Sequence, residues 1–340
     1  MLTSSLDPSR FVIFSGNSHP ELAKGVCKHL GVNLGDCNIR YFLNTESRPL
    51  IGESVRNKDI FIIQTGSSDY TEESYEKFKV NRNVNDHIQE TLLMMDACQR
   101  SGCGKITLII PCYPYARQDK KDKPRACISA KVVAKQFELF KPDRIVSVEL
   151  HNSCIQGYFD VSVDHLYTSN TIVEELQQSY NVNDLVIISP DEGGVKRASI
   201  VAAKLDRPIL TIRKNRDYNT ENKVVESTLL GDSDKIKGKI AVIVDDMLDT
   251  GGTVIKTVNL LKDEGASSVV VVVTHGILSG PAIDRINKEP SLERVFVSNT
   301  LPQTENLKNC DKLKVYEIDS MIAEVIKRLM VGKSISEMFE

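Results

Sequence analysis

Residues 239–254 read KIAVIVDDMLDTGGTV, and the order of features in this stretch decides the fold class. Ile240–Val244 is an unbroken apolar, mostly β-branched run, which suits a strand covered on both faces. Two adjacent carboxylates, Asp245 and Asp246, stand at its carboxyl end. Asp249, Thr250, Gly251, Gly252 and Thr253 follow, and then a helical stripe of Val254, Val258 and Leu261 with Gly265 as its C-cap. The N–H groups of such a turn and of the helix start form a concave anion site, and the glycines let a phosphate approach closely. Two carboxylates beside a phosphate cradle suit the hydroxyls of a sugar phosphate. A desolvated pair of acids is costly without such a use.

Similar runs occur on both sides of this stretch. Phe11–Phe14, Ile60–Ile63, Ile106–Ile110, Ile145–Leu150, Leu185–Ile188 and Ile209–Ile212 precede it. Val269–Val273 and Val295–Val297 follow. The gaps leave room for helices: Val84, Ile88, Leu92 and Met95 share one stripe that ends at Gly102. Met94 and Met95 read as core filling. Alternating strands and helices predict an α/β fold with mainly parallel sheets. So many strands in one sheet would be unusual, which predicts two domains, 1–168 and 169–340. The boundary falls in the polar stretch Thr168–Asn170, before a helix starting at Thr171. Residues 69–83, DYTEESYEKFKVNRN, interrupt the pattern and read as a surface insertion.

The chain has 340 residues and a net charge of -3, which argues against a general nucleic-acid binder. Its eight cysteines are scattered and predict reduced thiols rather than a disulfide framework or a zinc site. The N-terminus lacks a basic leader and a long apolar core, and the longest apolar runs are strand-length. The expectation is a cytoplasmic protein without a membrane segment.

Four further stretches carry chemistry. SPDEGGVKR at 189–197 follows an apolar strand; Asp191 is placed to serve a metal, and Gly193, Gly194, Lys196 and Arg197 suit a phosphate. After Ile106–Ile110 comes a run with the cations Arg117, Lys120, Lys121, Lys123 and Arg125. These suit a triphosphate, while Gln118, Asp119 and Asp122 suit an adenine amino group or hydrated Mg²⁺. His151 ends the run Ile145–Leu150 and could reach Mg²⁺ or ATP phosphates. Arg213, Lys214 and Arg216 lead into an Asn-rich stretch that predicts a mobile cationic loop able to close on a transferring phosphoryl group.

Together these segments resemble the ribose-phosphate pyrophosphokinase family. The resemblance spans nearly the whole chain: FVIFSGNSH at 11–19, IGESVR at 51–56, YARQDKKDK at 115–123, SPDEGG at 189–194, VDDMLDTGGT at 244–253 and THGILSGPA at 274–282. It implies two phosphoribosyltransferase-like domains, an active site between them completed by a neighbouring subunit, and a C-terminal tail packing on the N-terminal domain. It implies transfer of diphosphate from ATP to ribose 5-phosphate with Mg²⁺ as cofactor.

By motif position, Asp245 and Asp246 hold the ribose hydroxyls and Asp249–Thr253 the 5-phosphate. His151 and Asp191 serve Mg²⁺. Arg117, Gln118 and Asp122 contact ATP, with Phe42, Asn44 and Glu46 at the adenine. Lys214 and Arg216 bind the reacting phosphates. Ser54, Arg56, Ser334 and Ser336 match a regulatory anion site for inorganic phosphate or ADP. The resemblance also implies dimers assembling to a hexamer, or a hetero-oligomer with paralogues. The alternative is a non-catalytic regulatory paralogue in such an assembly.

Overall fold

The computed structural model describes residues 6–66, 82–217 and 223–339, apart from the side chains of 214–217 and 223–226. Of the predicted insertion, only Arg82 and Asn83 are among the described residues. The chain divides into two compact units, Met1–Tyr167 with Thr300–Pro302 and Glu317–Glu340, and Thr168–Asn299 with Gln303–Tyr316.

The first unit is built on a parallel sheet of five strands. They are β1 (Phe11–Ser15), β4 (Asp59–Ile63), β5 (Ile106–Ile110), β6 (Arg144–Val148) and β7 (Ser162–Leu166), in that spatial order. In sequence between β1 and β4, but as a separate two-stranded sheet, comes an antiparallel hairpin of β2 (Cys37–Tyr41) and β3 (Ser47–Ile51). Helices α1 (Pro20–Leu30), α2 (Val84–Arg100) and α3 (Ser129–Glu138) supply the crossovers. Every residue of β5 is buried, as its unbroken apolar run requires. Met94 and Met95 are core residues. Asn83 and Asp86 cap α2 reciprocally, which gives that helix a defined start.

The second unit carries α4 (Ser169–Ser179), β8 (Leu185–Ser189), α5 (Val195–Leu205), β9 (Ile209–Asp217), β10 (Lys223–Leu230), β11 (Ile240–Leu248) and α6 (Gly252–Asp263). It continues with β12 (Ser268–Gly276), α7 (Ala282–Lys288), β13 (Leu292–Ser298), α8 (Thr304–Asn309) and β14 (Leu313–Tyr316). Its sheet runs β10-β9-β8-β11-β12-β13-β14, parallel except for the β9–β10 pair. The chain then returns to the first unit, where α9 (Asp319–Val331) packs on α1. Asp319 lies so close to Gly25 that a β-carbon there would sit 1.7 Å from its Oδ2.

Three boundaries differ from the sequence expectation. The run Ile145–Leu150 stops being strand at Val148, because Glu149 turns the chain at φ 43°. The helix expected from Thr171 begins at Ser169. Lys214 and Arg216 stand within β9, paired with Ser227 and Val224 of β10, and not in a loop. The strand continues through them because β10 pairs alongside. None of the eight cysteines, all among the described residues, is in a disulfide. Among the described residues, no helix is long and apolar enough to cross a membrane.

Candidate active site

In the second unit β8 and β11 are parallel neighbours, so the turns after both strands emerge at one edge of the sheet. Asp245 and Asp246 lie inside β11, three and two residues before its end. Asp246 is buried, and its backbone N–H donates to Asp245 Oδ1 at 2.9 Å. Arg197, on the first turn of α5, reaches across from the β8 side. Its Nη1 stands 3.5 Å from Asp245 Oδ1 and 3.7 Å from Asp246 Oδ1. Burial, and then the Asp246 charge alongside, push the Asp245 carboxyl up to about 8, against the pull of Arg197. In the turn before α5, Asp191 Oδ1 accepts the Gly194 N–H at 3.1 Å, and Ser189 Oγ donates to the Asp191 carbonyl at 2.7 Å.

The Asp249–Thr253 turn is shaped by Gly251, whose φ of 77° is left-handed and which caps α6. Helix starts present N–H groups without intrahelical partners, which suit an anion. Arg285 of α7 donates from Nη1 to the Thr250 carbonyl at 2.7 Å, and that same atom would be 3.2 Å from a β-carbon on Gly252. The turn is thus braced from outside by a guanidinium.

In the first unit β5 and β6 are parallel neighbours, and the residues after each include a non-glycine in the left-handed region, Tyr115 at φ 58° and Glu149 at φ 43°. Such conformations persist only where the surroundings hold them. Arg117, Gln118 and Asp122 are exposed, whereas Asp119 is buried. Asn152 Nδ2 donates to Asp119 Oδ2 at 2.6 Å, and the Tyr158 hydroxyl donates to the Asp119 carbonyl. Asp119 therefore ties the 111–128 segment to the residues after His151. His151 is exposed, and the preceding Leu150 N–H donates to His165 Nε2 at 2.8 Å.

Phe42, Asn44 and Glu46 sit at the tip of the β2–β3 hairpin. There Phe42 N–H donates to the Glu46 carbonyl at 2.9 Å, and Glu46 N–H to Asn44 Oδ1 at 3.3 Å. Phe42 is 50% exposed, with the Arg48 guanidinium carbon 6.0 Å from its ring centroid. Next to that tip, Tyr41, the last residue of β2, is anchored on fully buried Glu90. Tyr41 donates its hydroxyl to Glu90, Asn17 Nδ2 donates at 2.8 Å and Gln64 Nε2 at 2.9 Å, and Arg82 lies 3.9 Å away.

The structure brings Asp191, Asp245 and Asp246 together through Arg197's helix, and brings Gln118 and His151 into adjoining turns. Ser54 and Arg56 are exposed after β3, and Ser334 and Ser336 beyond α9. Arg328 of α9 holds that tail by donating to the Ser334 carbonyl and to Glu337 at 3.0 Å, while Glu324 one turn earlier in the same helix orients it at 2.9 Å. The side chains of Lys214 and Arg216 lie outside the described residues. Asp191 has oxygen-donor chemistry that fits Mg²⁺, an ion that keeps most of its shell as phosphate oxygens and water and takes few protein ligands, whereas an imidazole nitrogen such as that of His151 is an unusual ligand for it. Among the described residues, no three or more His, Cys, Asp or Glu side chains gather into a protein-only cage. Sequence reading missed His165, Asn152 and Arg285, and gave Arg197 only a phosphate role; their partners are set by strand order, which spacing does not reveal.

A family model described as the N-terminal domain of ribose phosphate pyrophosphokinase matches residues 11–140. A second, described as a phosphoribosyl synthetase-associated domain, matches residues 220–340. Ribose-phosphate pyrophosphokinase 2 of Schizosaccharomyces pombe is 43% identical over 329 residues, 96% of each chain. The crystal structure of a phosphoribosylpyrophosphate synthetase from Mycobacterium smegmatis superposes with a TM-score of 0.84 at 37% identity, covering 95% of this chain and 99% of that one. The acid pair beside a glycine-capped anion turn and these full-length similarities agree: the chain belongs to the ribose-phosphate pyrophosphokinase family.

Proposed function

We propose that the chain is a ribose-phosphate diphosphokinase, moving the β,γ-diphosphate of ATP to the 1-hydroxyl of ribose 5-phosphate. The observation that carries this reading is the adjoining of Asp245 and Asp246 with the Gly251-capped turn, beside the Asp191 turn of the neighbouring strand. The similarity to the yeast pyrophosphokinase and the mycobacterial synthetase supports it. Nothing in those similarities favours the non-catalytic regulatory alternative.

In this mechanism the carboxylates of Asp245 and Asp246 accept the ribose 2- and 3-hydroxyls, and the Asp249–Thr253 turn holds the 5-phosphate through N–H and hydroxyl donors. Arg117, Gln118 and Asp122 bind ATP, with Phe42, Asn44 and Glu46 reading the adenine. The sugar's 1-oxygen attacks the β-phosphorus. The bond from that phosphorus to the α,β-bridging oxygen breaks, AMP leaves with the electron pair, and the hydroxyl proton is lost. Lys214 and Arg216 neutralise the charge on the transferring group. His151 and Asp191 would hold Mg²⁺, which when bound supplies Lewis-acid charge to the phosphate oxygens. Alignment and charge neutralisation supply the catalysis, and no covalent enzyme intermediate is required.

The same reading extends to a cytoplasmic enzyme built from dimers that form a hexamer, alone or with paralogues. Inorganic phosphate or ADP then acts at Ser54, Arg56, Ser334 and Ser336. The test is AMP release by the purified chain from ATP, ribose 5-phosphate and Mg²⁺, with and without inorganic phosphate. AMP that depends on ribose 5-phosphate is the expected result. A folded chain releasing none would overturn the reading.

A further inference from the structure

Among the described residues, Arg197 stands against both sugar-side acids. The two separations, 3.5 and 3.7 Å, are longer than a charge-assisted hydrogen bond, which closes to about 2.7–2.9 Å. At that range the guanidinium offsets the negative charge of the acid pair from one side without closing on either acid in these two contacts. Both contacts use the Oδ1 atoms, and Asp245 Oδ1 also takes the Asp246 N–H. One edge of the pair is thereby fixed to protein. The Arg197 side chain is only 17% exposed, Asp245 23% and Asp246 5%, so solvent screens this arrangement little.

The placement along the chain matters equally. Arg197 sits three residues after Gly194, on the helix that the Asp191 turn opens, while Asp245 and Asp246 belong to the neighbouring strand β11. The guanidinium is therefore a strap between the turn that serves the diphosphate and the acids that serve the sugar.

We propose that Arg197 is a positioning residue for ribose 5-phosphate, holding Asp245 and Asp246 side by side as a double acceptor for two adjacent sugar hydroxyls. This rests on the sugar reading of the acid pair given above. It assigns Arg197 to the sugar rather than to the nucleotide, and makes its effect substrate-selective. A cis-diol ligand then finds two acceptors already aligned.

The experiment compares wild type, Arg197→Lys and Arg197→Met for AMP release while ribose 5-phosphate and ATP are varied separately. Arg197→Met is expected to raise the KM for ribose 5-phosphate roughly tenfold and to leave the KM for ATP within about threefold. Arg197→Lys is expected to recover most of the loss. Equal increases in both KM values, or unchanged values in a folded variant, would overturn the proposal. If Arg197→Met does not melt cooperatively, Arg197→Lys alone decides: a selective rise for the sugar supports the proposal, and none refutes it. If wild type releases no AMP, the activity reading has failed, and the shift in melting midpoint caused by ribose 5-phosphate replaces KM. That shift persisting in full in Arg197→Met refutes the positioning role; its selective loss supports it.

Discussion

The imidazole Nε2 of His165 accepts the backbone N–H of Leu150 at 2.8 Å. An acceptor nitrogen carries no hydrogen, which assigns the ring proton to Nδ1. Leu150 immediately precedes His151, and Glu149 before it is held at φ 43°. His165 thus pins the backbone that presents His151. The Tyr167 ring covers His165 with centroids 4.3 Å apart, and Phe339, near the C-terminus, meets Tyr167 edge-on at 5.8 Å.

His165→Phe keeps an aromatic ring under Tyr167 but removes the acceptor. A backbone N–H left without its partner costs about 1–3 kcal/mol, which lowers the melting midpoint by several degrees. The released backbone also lets His151 drift, so kcat is expected to fall roughly tenfold while the KM for ribose 5-phosphate stays put. Thermal melts and steady-state kinetics read the two effects separately. An unchanged kcat would show that His151 keeps its place without this bond.

Asp245 predicts an unusual pH dependence. Its carboxyl is pushed from 3.8 to about 8 by burial and by Asp246. Between those values the unfolded chain has released the proton that the folded chain retains, so stability falls as pH rises through the window. Asp245→Asn removes this contribution. Relative to the variant, the ligand-free wild type should lose ground from acidic to mildly alkaline pH, by roughly 1 kcal/mol or more, or a few degrees in midpoint. Melts across pH without ligand measure the difference, and a gap that does not vary with pH would contradict the raised carboxyl. The same variant should bind ribose 5-phosphate poorly.

Local chemistry was legible in the sequence; relations between segments were not. Ile240–Val244 announced a doubly covered strand because every residue in it is apolar, and Gly251 announced a left-handed cap because the turn needs one. β2 and β3 escaped notice because CNIRY and SRPLI alternate polar residues and include Pro49, the mark of a ribbon outside the main sheet. Lys214 and Arg216 looked like loop residues by composition, yet β9 continues through them because β10 pairs alongside. Arg197 looked like a phosphate cation because its own segment suggested one. Only the adjacency of β8 and β11 turns it toward Asp245. Asp119 was read with the exposed residues of its run, although Asn152 and Tyr158 bury it as a brace.

Arg285 gives a test of the phosphate turn. It braces the Thr250 carbonyl at 2.7 Å from an exposed position, so the bond lies at the weak end of charged contacts, about 1 kcal/mol. Arg285→Met is expected to raise the KM for ribose 5-phosphate several-fold with kcat nearly unchanged. Gly252→Ala places a methyl 3.2 Å from that guanidinium and should harm the turn on its own. In the Arg285→Met background the alanine should cost less, because its nearest neighbour has gone. A double-mutant cycle in KM reads this coupling, and strict additivity would show that the guanidinium does not shape the turn.

Asp249 and Lys214 separate binding from chemistry. Asp249 belongs to the turn proposed to receive the 5-phosphate, a group that would be bound alike before and during transfer. Asp249→Ala is therefore expected to raise the KM for ribose 5-phosphate by roughly tenfold or more, with a smaller effect on the KM for ATP. Lys214 is assigned to charge that develops only as the diphosphate moves. Lys214→Ala should lower kcat by about 10²–10³, leave both KM values nearly unchanged, and melt like wild type. Steady-state kinetics on the two variants must give opposite signatures. If Lys214→Ala turns over normally, Lys214 has no part in the transfer. If Asp249→Ala shifts both KM values equally, the turn after β11 is not where the sugar phosphate sits.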